Sequence, residues 1–264
     1  MNYYLSAAMQ STIFFITQIM LILLVFGLIS TLRYGLRYAY TRLSIPLDFQ
    51  RKQLWIGGGG LLLWLGGLAI LAGTGIFAEL DRTPPLLFYV LLPPLLFFWG
   101  LLFWPPFRRL LKLIPKTWLF YAQTYRILTD LILWLGYLAY FVPKQLTFLW
   151  LNQDYTVGLT AIVAGMIFFG RGQNRKFEGI IWNVFGIILL FNQVFLGYIS
   201  LPMPDPVMNT GIDSIFLTRF PFIWLWGFTI PLGFGLHVAS LYQILFLNQP
   251  GRRRRFSLQR KPKK

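Results

Sequence analysis

Seven long apolar runs, separated by short polar segments, organise the chain. About 20 helical residues cross a bilayer core of about 30 Å, so a run of this length predicts a transmembrane helix. The fifth run spans only about 21 Å as a helix. It predicts a helix that begins earlier, or one that lies where protein or a thinned bilayer surrounds it. The runs lie near residues 11–32, 54–77, 86–104, 120–142, 156–169, 179–200 and 221–247.

Basic residues fall almost entirely on one side of this seven-helix arrangement. The loops 33–52, 105–117 and 170–178, together with the C-terminal tail, hold 20 of the 24 Lys and Arg residues. Loops rich in Lys and Arg stay in the cytoplasm. The pattern therefore predicts an all-α polytopic membrane protein with seven transmembrane helices, the N-terminus out and the C-terminus in.

Composition supports an integral membrane protein. The chain is 56% hydrophobic and only 12% charged, whereas soluble domains are about 25% charged. We predict a single transmembrane domain over residues 1–250 and a basic cytoplasmic tail over 251–264. The tail, "GRRRRFSLQRKPKK", is interpreted as an anchor for anionic lipids, which attract each nearby basic residue by about 1 kcal/mol. The segregated charge disfavours a nucleic-acid partner for this chain, whose net charge is +16.

Catalytic signatures are missing from the sequence. The absence of cysteine excludes disulfides and thiolate metal sites, and His237 is the only histidine. Neither H-E-x-x-H nor G-x-S-x-G occurs, nor does a glycine-rich phosphate loop followed by lysine. The last apolar run lacks a lysine, which excludes a retinal Schiff base. We expect no metal and no cofactor, and a non-enzymatic protein is favoured over an enzyme.

The second run carries a strip of glycines. Gly59, Gly66 and Gly73 recur every seven residues, so they lie on one helix face that another backbone can approach closely. Packing within the chain is the favoured interpretation, and a homodimer interface is the alternative.

Prolines interrupt two of the predicted helices. Pro93 and Pro94 lie in the middle of the third run, and Pro231 lies in the seventh. Proline has no N–H, so the carbonyl four residues earlier loses its helical partner; for Pro231 this is Gly227. Helices broken in this way can form ion sites in transporters, but a simple kink is the commoner outcome.

The stretch "TYRILTDLILWLGYLAYFV", residues 124–142, places two opposite charges inside an apolar run. Arg126 and Asp130 are four residues apart and share a helix face, which Gln123 extends. An unpaired carboxylate at this depth is costly. We therefore predict that Asp130 faces the bundle interior and pairs with Arg126, or with a polar group of the sixth or seventh helix.

Three further polar residues lie at a depth similar to that of Arg126. Asn183 is near the cytoplasmic end of the sixth run, and His237 and Ser240 share a face of the seventh. Ionisable groups inside a membrane are functional candidates by default. The candidate polar network comprises Gln123, Arg126, Asp130, Asn183, His237 and Ser240, and no catalytic role is assigned to any of them. The simpler interpretation is a structural hydrogen-bonded cluster.

Two segments of the C-terminal half carry a family likeness. "QTYRILTDLILWLGYLAYFVPKQLTF" and "FPFIWLWGFTIPLGFGLHVASLYQI" resemble sequences of uncharacterised multi-pass inner-membrane proteins of bacteria. The resemblance implies a location in the bacterial inner membrane and no particular activity.

Three functions remain open from the sequence. The first is a non-enzymatic subunit or scaffold that packs with other membrane proteins. The second is a small proton-coupled carrier or permease that uses Arg126, Asp130 and His237. A water-filled cavity joining Asp130 to His237 would favour the carrier, and wide separation of the two would rule it out. The third is a membrane-embedded enzyme acting on lipids, for which loop 201–219 offers Asp205 and Asp213.

Overall fold

The computed structural model describes residues 5–82, 84–204 and 211–247, and every regular element in these ranges is helical. The all-α prediction is thereby confirmed. The basic tail and Asp205 lie outside the described residues. The α-helices are α1 (Ala7–Arg42), α2 (Leu47–Gly73), α3 (Leu86–Tyr89), α4 (Leu92–Phe103), α5 (Pro105–Leu113), α6 (Lys116–Tyr121), α7 (Tyr125–Leu138), α8 (Tyr155–Phe169), α9 (Lys176–Ile199) and α10 (Ile230–Phe246).

Five helical stretches in the described residues are long and apolar enough to cross a membrane. They correspond to the first, second, third, sixth and seventh apolar runs, and they indicate a membrane protein, as the composition predicts. The third joins α3 to α4, and the last joins a π-helix, Leu225–Thr229, to α10. The five stretches are Ala7–Arg42, Leu47–Gly73, Leu86–Phe103, Lys176–Ile199 and Leu225–Phe246.

The fourth and fifth runs fold into shorter pieces. The fourth consists of α6, a 3₁₀ turn at Ala122–Thr124 and α7, and the fifth is α8 alone, with 15 residues. α8 begins at Tyr155, so it does not extend back into the preceding segment. Helix length therefore supports five spans and leaves the count of seven as a prediction.

The α7–α8 loop, residues 139–154, is folded back against the protein. α7 continues to Leu138, yet Asp154 at the far end of the loop contacts Arg126 at the start of α7. The loop thus returns along α7 over about 18 Å. Its side chains Gln145, Thr147 and Asn152 are fully buried. Non-helical backbone is tolerated at membrane depth where protein surrounds it.

The proline breaks occur where the sequence places them. α3 ends at Tyr89 and α4 begins at Leu92, so Pro93 and Pro94 occupy the first turn of α4, where a missing N–H removes no helical bond. Pro231 lies instead inside the last span, where the π-helix Leu225–Thr229 runs directly into α10. The carbonyl of Gly227 accepts a hydrogen bond from the Trp64 indole at 2.9 Å. Proline thus creates an acceptor that ties the last span to α2.

The last span is the centre of the bundle, and α2 lies at its edge. In the most apolar stretch of Leu225–Phe246, 78% of the residues are buried, compared with 11% in α2. α10 packs against α9, α4 and α6, while α7 packs against α1. Most of α2 is therefore left for lipid or for another protein.

The glycine strip on α2 does not pack within the chain. A Cβ atom placed at Gly59, Gly66 or Gly73 would meet no atom of another described element within 4 Å. The favoured interpretation, packing within the chain, is therefore wrong for the described residues. The reason is the peripheral position of α2, which turns this face away from the core. Close helix approach occurs instead at Gly158 of α8 and Gly186 of α9.

Candidate functional site

All six residues of the predicted polar network are buried in the bundle. None has a side chain more than 2% exposed. They come from the start of α7 and the turn before it, from α9 and from α10, and α10 packs against both α9 and that turn. The residues are Gln123, Arg126, Asp130, Asn183, His237 and Ser240.

Arg126 is the centre of this network, and its ion-pair partner is Asp154. Its Nε donates to Asp154 Oδ2 at 2.8 Å, and its Nη2 donates to Asp154 Oδ1, so the pair is bidentate. Nη2 also donates to the Gly186 carbonyl at 3.2 Å, and Nη1 to His237 Nε2 at 3.0 Å. The predicted ion pair between Arg126 and Asp130 is therefore wrong. Spacing along one helix suggested that pair, whereas a planar guanidinium is better satisfied by a carboxylate facing it across the bundle.

Asp154 reaches Arg126 because the α7–α8 loop brings it inward. The residue immediately precedes α8, and its backbone N–H donates to Asn152 Oδ1 at 3.1 Å. One turn into α8, Gly158 lies against the Ile127 backbone, so the start of α8 can approach the start of α7 closely. The sequence places Asp154 in an outer loop, yet its side chain is 2% exposed. Gly158, four residues on, was the available signal of close approach.

Asp130 faces the interior, as predicted, but its partner is Asn152. Asn152 Nδ2 donates to Asp130 Oδ1 at 2.6 Å and also to the Leu146 carbonyl at 3.0 Å. The same amide accepts the Asp154 N–H, so it joins the two carboxyl-bearing residues. Asp130 Oδ2 is buried and has no hydrogen-bond partner among the described residues. The predicted partner on the sixth or seventh helix is therefore replaced by one from the loop.

His237 is held by bonds at both ring nitrogens. Arginine can only donate, so His237 Nε2 accepts from Arg126 and the ring proton lies on Nδ1. Nδ1 then donates to Asn183 Oδ1 at 2.9 Å. Asn183 Nδ2 donates in turn to Ser240 Oγ at 3.1 Å and to the Gly179 carbonyl at 2.7 Å. This chain of bonds joins the residues of α7, α9 and α10 that the sequence places at one depth.

Gln123 lies beside the network without bonding to it. Its Nε2 donates to the Gly233 carbonyl of α10 at 3.2 Å, and its Oε1 is buried without a partner among the described residues. Two residues on, the Tyr125 hydroxyl donates to the Thr229 carbonyl at 2.6 Å. Both acceptors are carbonyls of the last span, so these bonds attach the start of α7 and the turn before it to that span.

The network is buried and densely hydrogen-bonded. Its polar atoms bond to one another or to backbone carbonyls, except Asp130 Oδ2 and Gln123 Oε1, which have no partner among the described residues. Two cavities of the described residues lie elsewhere. One, of about 10 Å³, is lined by residues including Leu133 and Gln193, and the other, of about 330 Å³, lies beside Phe14. Neither is lined by Arg126, Asp130 or His237. Within the described ranges, no set of three His, Asp or Glu side chains could hold a metal ion.

The arrangement is a packed, hydrogen-bonded ion-pair cluster that joins the α7–α8 loop to α9 and α10. Removing one partner of such a pair leaves a buried charge uncompensated, so each member depends on the others. Comparison of the chain with protein-family models, curated proteins and solved structures finds no match, so the meaning of this cluster rests on its geometry alone.

Proposed function

We propose that this protein is a non-enzymatic membrane subunit or scaffold that packs against another membrane protein through α2. The main support is a contrast between the charged cluster around Arg126 and the glycine strip on α2. The charged cluster is buried and, apart from Asp130 Oδ2 and Gln123 Oε1, hydrogen-bonded within the protein, whereas the glycine strip on α2 is open to approach. Small residues on a transmembrane helix let a partner backbone come close enough for van der Waals packing and weak hydrogen bonds.

The alternative, a proton-coupled carrier, has less support. Asp130 and His237 are connected through Arg126, Asp154 and Asn152, so the two are not widely separated. Neither of the two cavities described above is lined by either residue, however, so nothing in their lining supports a path between them. The carrier therefore stays a prediction from the sequence.

The proposed packing is tested by purification in a mild detergent. Wild-type protein is expected to retain a stoichiometric partner or a defined oligomer, and Gly66→Leu, which fills the strip, is expected to release it. Gly100→Leu is the matched control, because Gly100 on α4 also has open space around its Cβ position. Native mass spectrometry and light scattering measure the assembly. A monodisperse wild-type monomer, or equal retention by both variants, would contradict the proposal.

We further propose seven crossings in the bacterial inner membrane, with the N-terminus out and the C-terminus in. The support is the one-sided distribution of basic loops and the helical segments that occupy all seven apolar runs. In a seven-span chain the α7–α8 loop faces outward, whereas in a five-span chain with the same N-terminus it faces inward. Loop 105–117 faces inward in both.

Single cysteines distinguish these counts, since the natural chain has none. Lys144→Cys, at an exposed loop position, is expected to react with a membrane-impermeant thiol reagent added to cells whose inner membrane is intact. Lys112→Cys, exposed on α5, is the control that reacts only after the inner membrane is permeabilised. Protection of Lys144→Cys until permeabilisation would favour five crossings.

A further inference from the structure

A cavity of about 330 Å³ lies at the end of the bundle where α1 begins and α7 ends. Its wall contains four phenylalanines in mutual contact. Ring centroids are 4.8 Å apart for Phe14 and Phe141, 5.5 Å for Phe141 and Phe222, and 5.3 Å for Phe216 and Phe222. The volume is at the lower end of the range of small-molecule sites, and the aromatic wall offers an apolar, quadrupolar surface.

Two opposite charges line the same cavity. Arg219 is exposed, and Asp213 is half-buried. No ion pair joins them, nor either of them to another of the described residues. Asp213 Oδ1 accepts the Ile215 N–H at 2.9 Å, which fixes the carboxylate at the start of the 3₁₀ turn Ile215–Thr218. The cavity therefore holds one cation and one anion that do not satisfy each other.

The wall also carries a residue in an uncommon backbone conformation. Tyr140, 45% exposed, has a φ of 60°, in the left-handed region that bulky residues rarely adopt. Strained residues of this kind cluster at ligand-binding sites. Tyrosine is also typical of the membrane–water interface, where its ring is apolar and its hydroxyl is solvated.

We propose that this cavity binds the headgroup of a zwitterionic phospholipid. The phosphate lies against the Arg219 guanidinium, whose planar donors match phosphate oxygens. The ammonium lies against the Asp213 carboxylate and the aromatic faces, which attract cations. The phenylalanines then contact the glycerol and the first part of the acyl chains. A lipid is favoured over a soluble zwitterion because Phe14, 38% exposed, belongs to the apolar surface of the membrane-length helix α1.

Lipid binding to the purified, detergent-solubilised protein tests this proposal. The probes are phosphatidylethanolamine and phosphatidylglycerol with the same acyl chains, and native mass spectrometry measures their retention. The wild type is expected to retain phosphatidylethanolamine about fivefold better, the equivalent of one favourable surface charge interaction. Asp213→Asn keeps the acceptor for the Ile215 N–H, so it is expected to remove this preference without loss of thermal stability.

Arg219→Gln is expected to weaken the retention of both lipids by about fivefold. The matched control is Arg82→Gln, because Arg82 is also exposed but lies outside the cavity. Equal retention of the two lipids by the wild type would overturn the proposal. So would equal effects of Arg219→Gln and Arg82→Gln, or binding of soluble phosphoethanolamine as tight as that of phosphatidylethanolamine, since the acyl part would then contribute nothing.

Discussion

Arg126→Leu is expected to lower the free energy of unfolding in detergent by about 3–5 kcal/mol, because it leaves the buried Asp154 carboxylate without its counter-charge. Arg126→Leu combined with Asp154→Leu is expected to be much more stable than Arg126→Leu alone, since no unpaired charge then remains in that pair. Chemical or thermal unfolding of the single and double variants measures the coupling. If the loss of unfolding free energy in the double variant equals the sum of the losses in the two single variants, Arg126 and Asp154 do not stabilise the protein through their interaction.

A second double variant separates the two possible partners of Arg126. Arg126→Leu combined with Asp130→Leu is expected to remain as unstable as Arg126→Leu, because Asp154 is still buried and unpaired. Rescue by Asp130→Leu would instead assign Asp130 as the partner. Arg82→Leu serves as an exposed control: its ion pair with Glu79 is at the surface, at 3.7 Å, and such pairs contribute about 0–1 kcal/mol.

Gly158→Ala is expected to destabilise the protein by about 1–3 kcal/mol through overpacking. The added Cβ would lie 2.9 Å from the Ile127 backbone nitrogen and 2.7 Å from Ile127 Cγ1. A side chain can change its rotamer, but the backbone nitrogen cannot move without shifting α7. The two helices must therefore separate, which also strains the bonds between Arg126 and Asp154. Unfolding in detergent measures the loss.

Gly66→Ala is the matched control for Gly158→Ala. It makes the same substitution in a helix interior, but no atom of another described element lies within 4 Å of the new Cβ. It is expected to be neutral or to stabilise the protein by up to about 1 kcal/mol, since alanine favours helix more than glycine does. Equal loss in both variants would mean that the effect is not one of close helix approach.

The helical part of the fold follows from hydropathy. Apolar runs fix where helices can form, and the prolines fix where they break, because both effects act locally along the chain. The burial of Arg126, Asn183 and His237 was also predictable. Polar groups that lie at the same membrane depth on different helices avoid lipid by facing one another in the bundle interior. Sequence spacing gives depth along each helix, and depth was sufficient for these three residues.

Asp154 and Asn152 could not be placed in the same way. A polar segment between two apolar runs predicts an exposed loop. No local sequence pattern distinguishes such a loop from one that folds back along the neighbouring helix. Its position depends on tertiary bonds, chiefly those of Arg126 and Asp130. The i,i+4 spacing of Arg126 and Asp130 favoured a pair along one helix, whereas in the structure each of them bonds to the loop. The open face of α2 was missed for a similar reason, because periodicity locates a glycine strip but not what faces it.

The α7–α8 loop also bears on the order in which the chain can be assembled during synthesis. An unpaired buried carboxylate is costly, and α8 offers only 15 residues preceded by Asp154. Its counter-charge, on α7, is made earlier, so the ion pair can form while translation continues. His237 belongs to α10, the last helix of the described residues. The hydrogen bond between Arg126 and His237 can therefore form only once α10 has emerged, so the ion pair can precede the rest of the cluster.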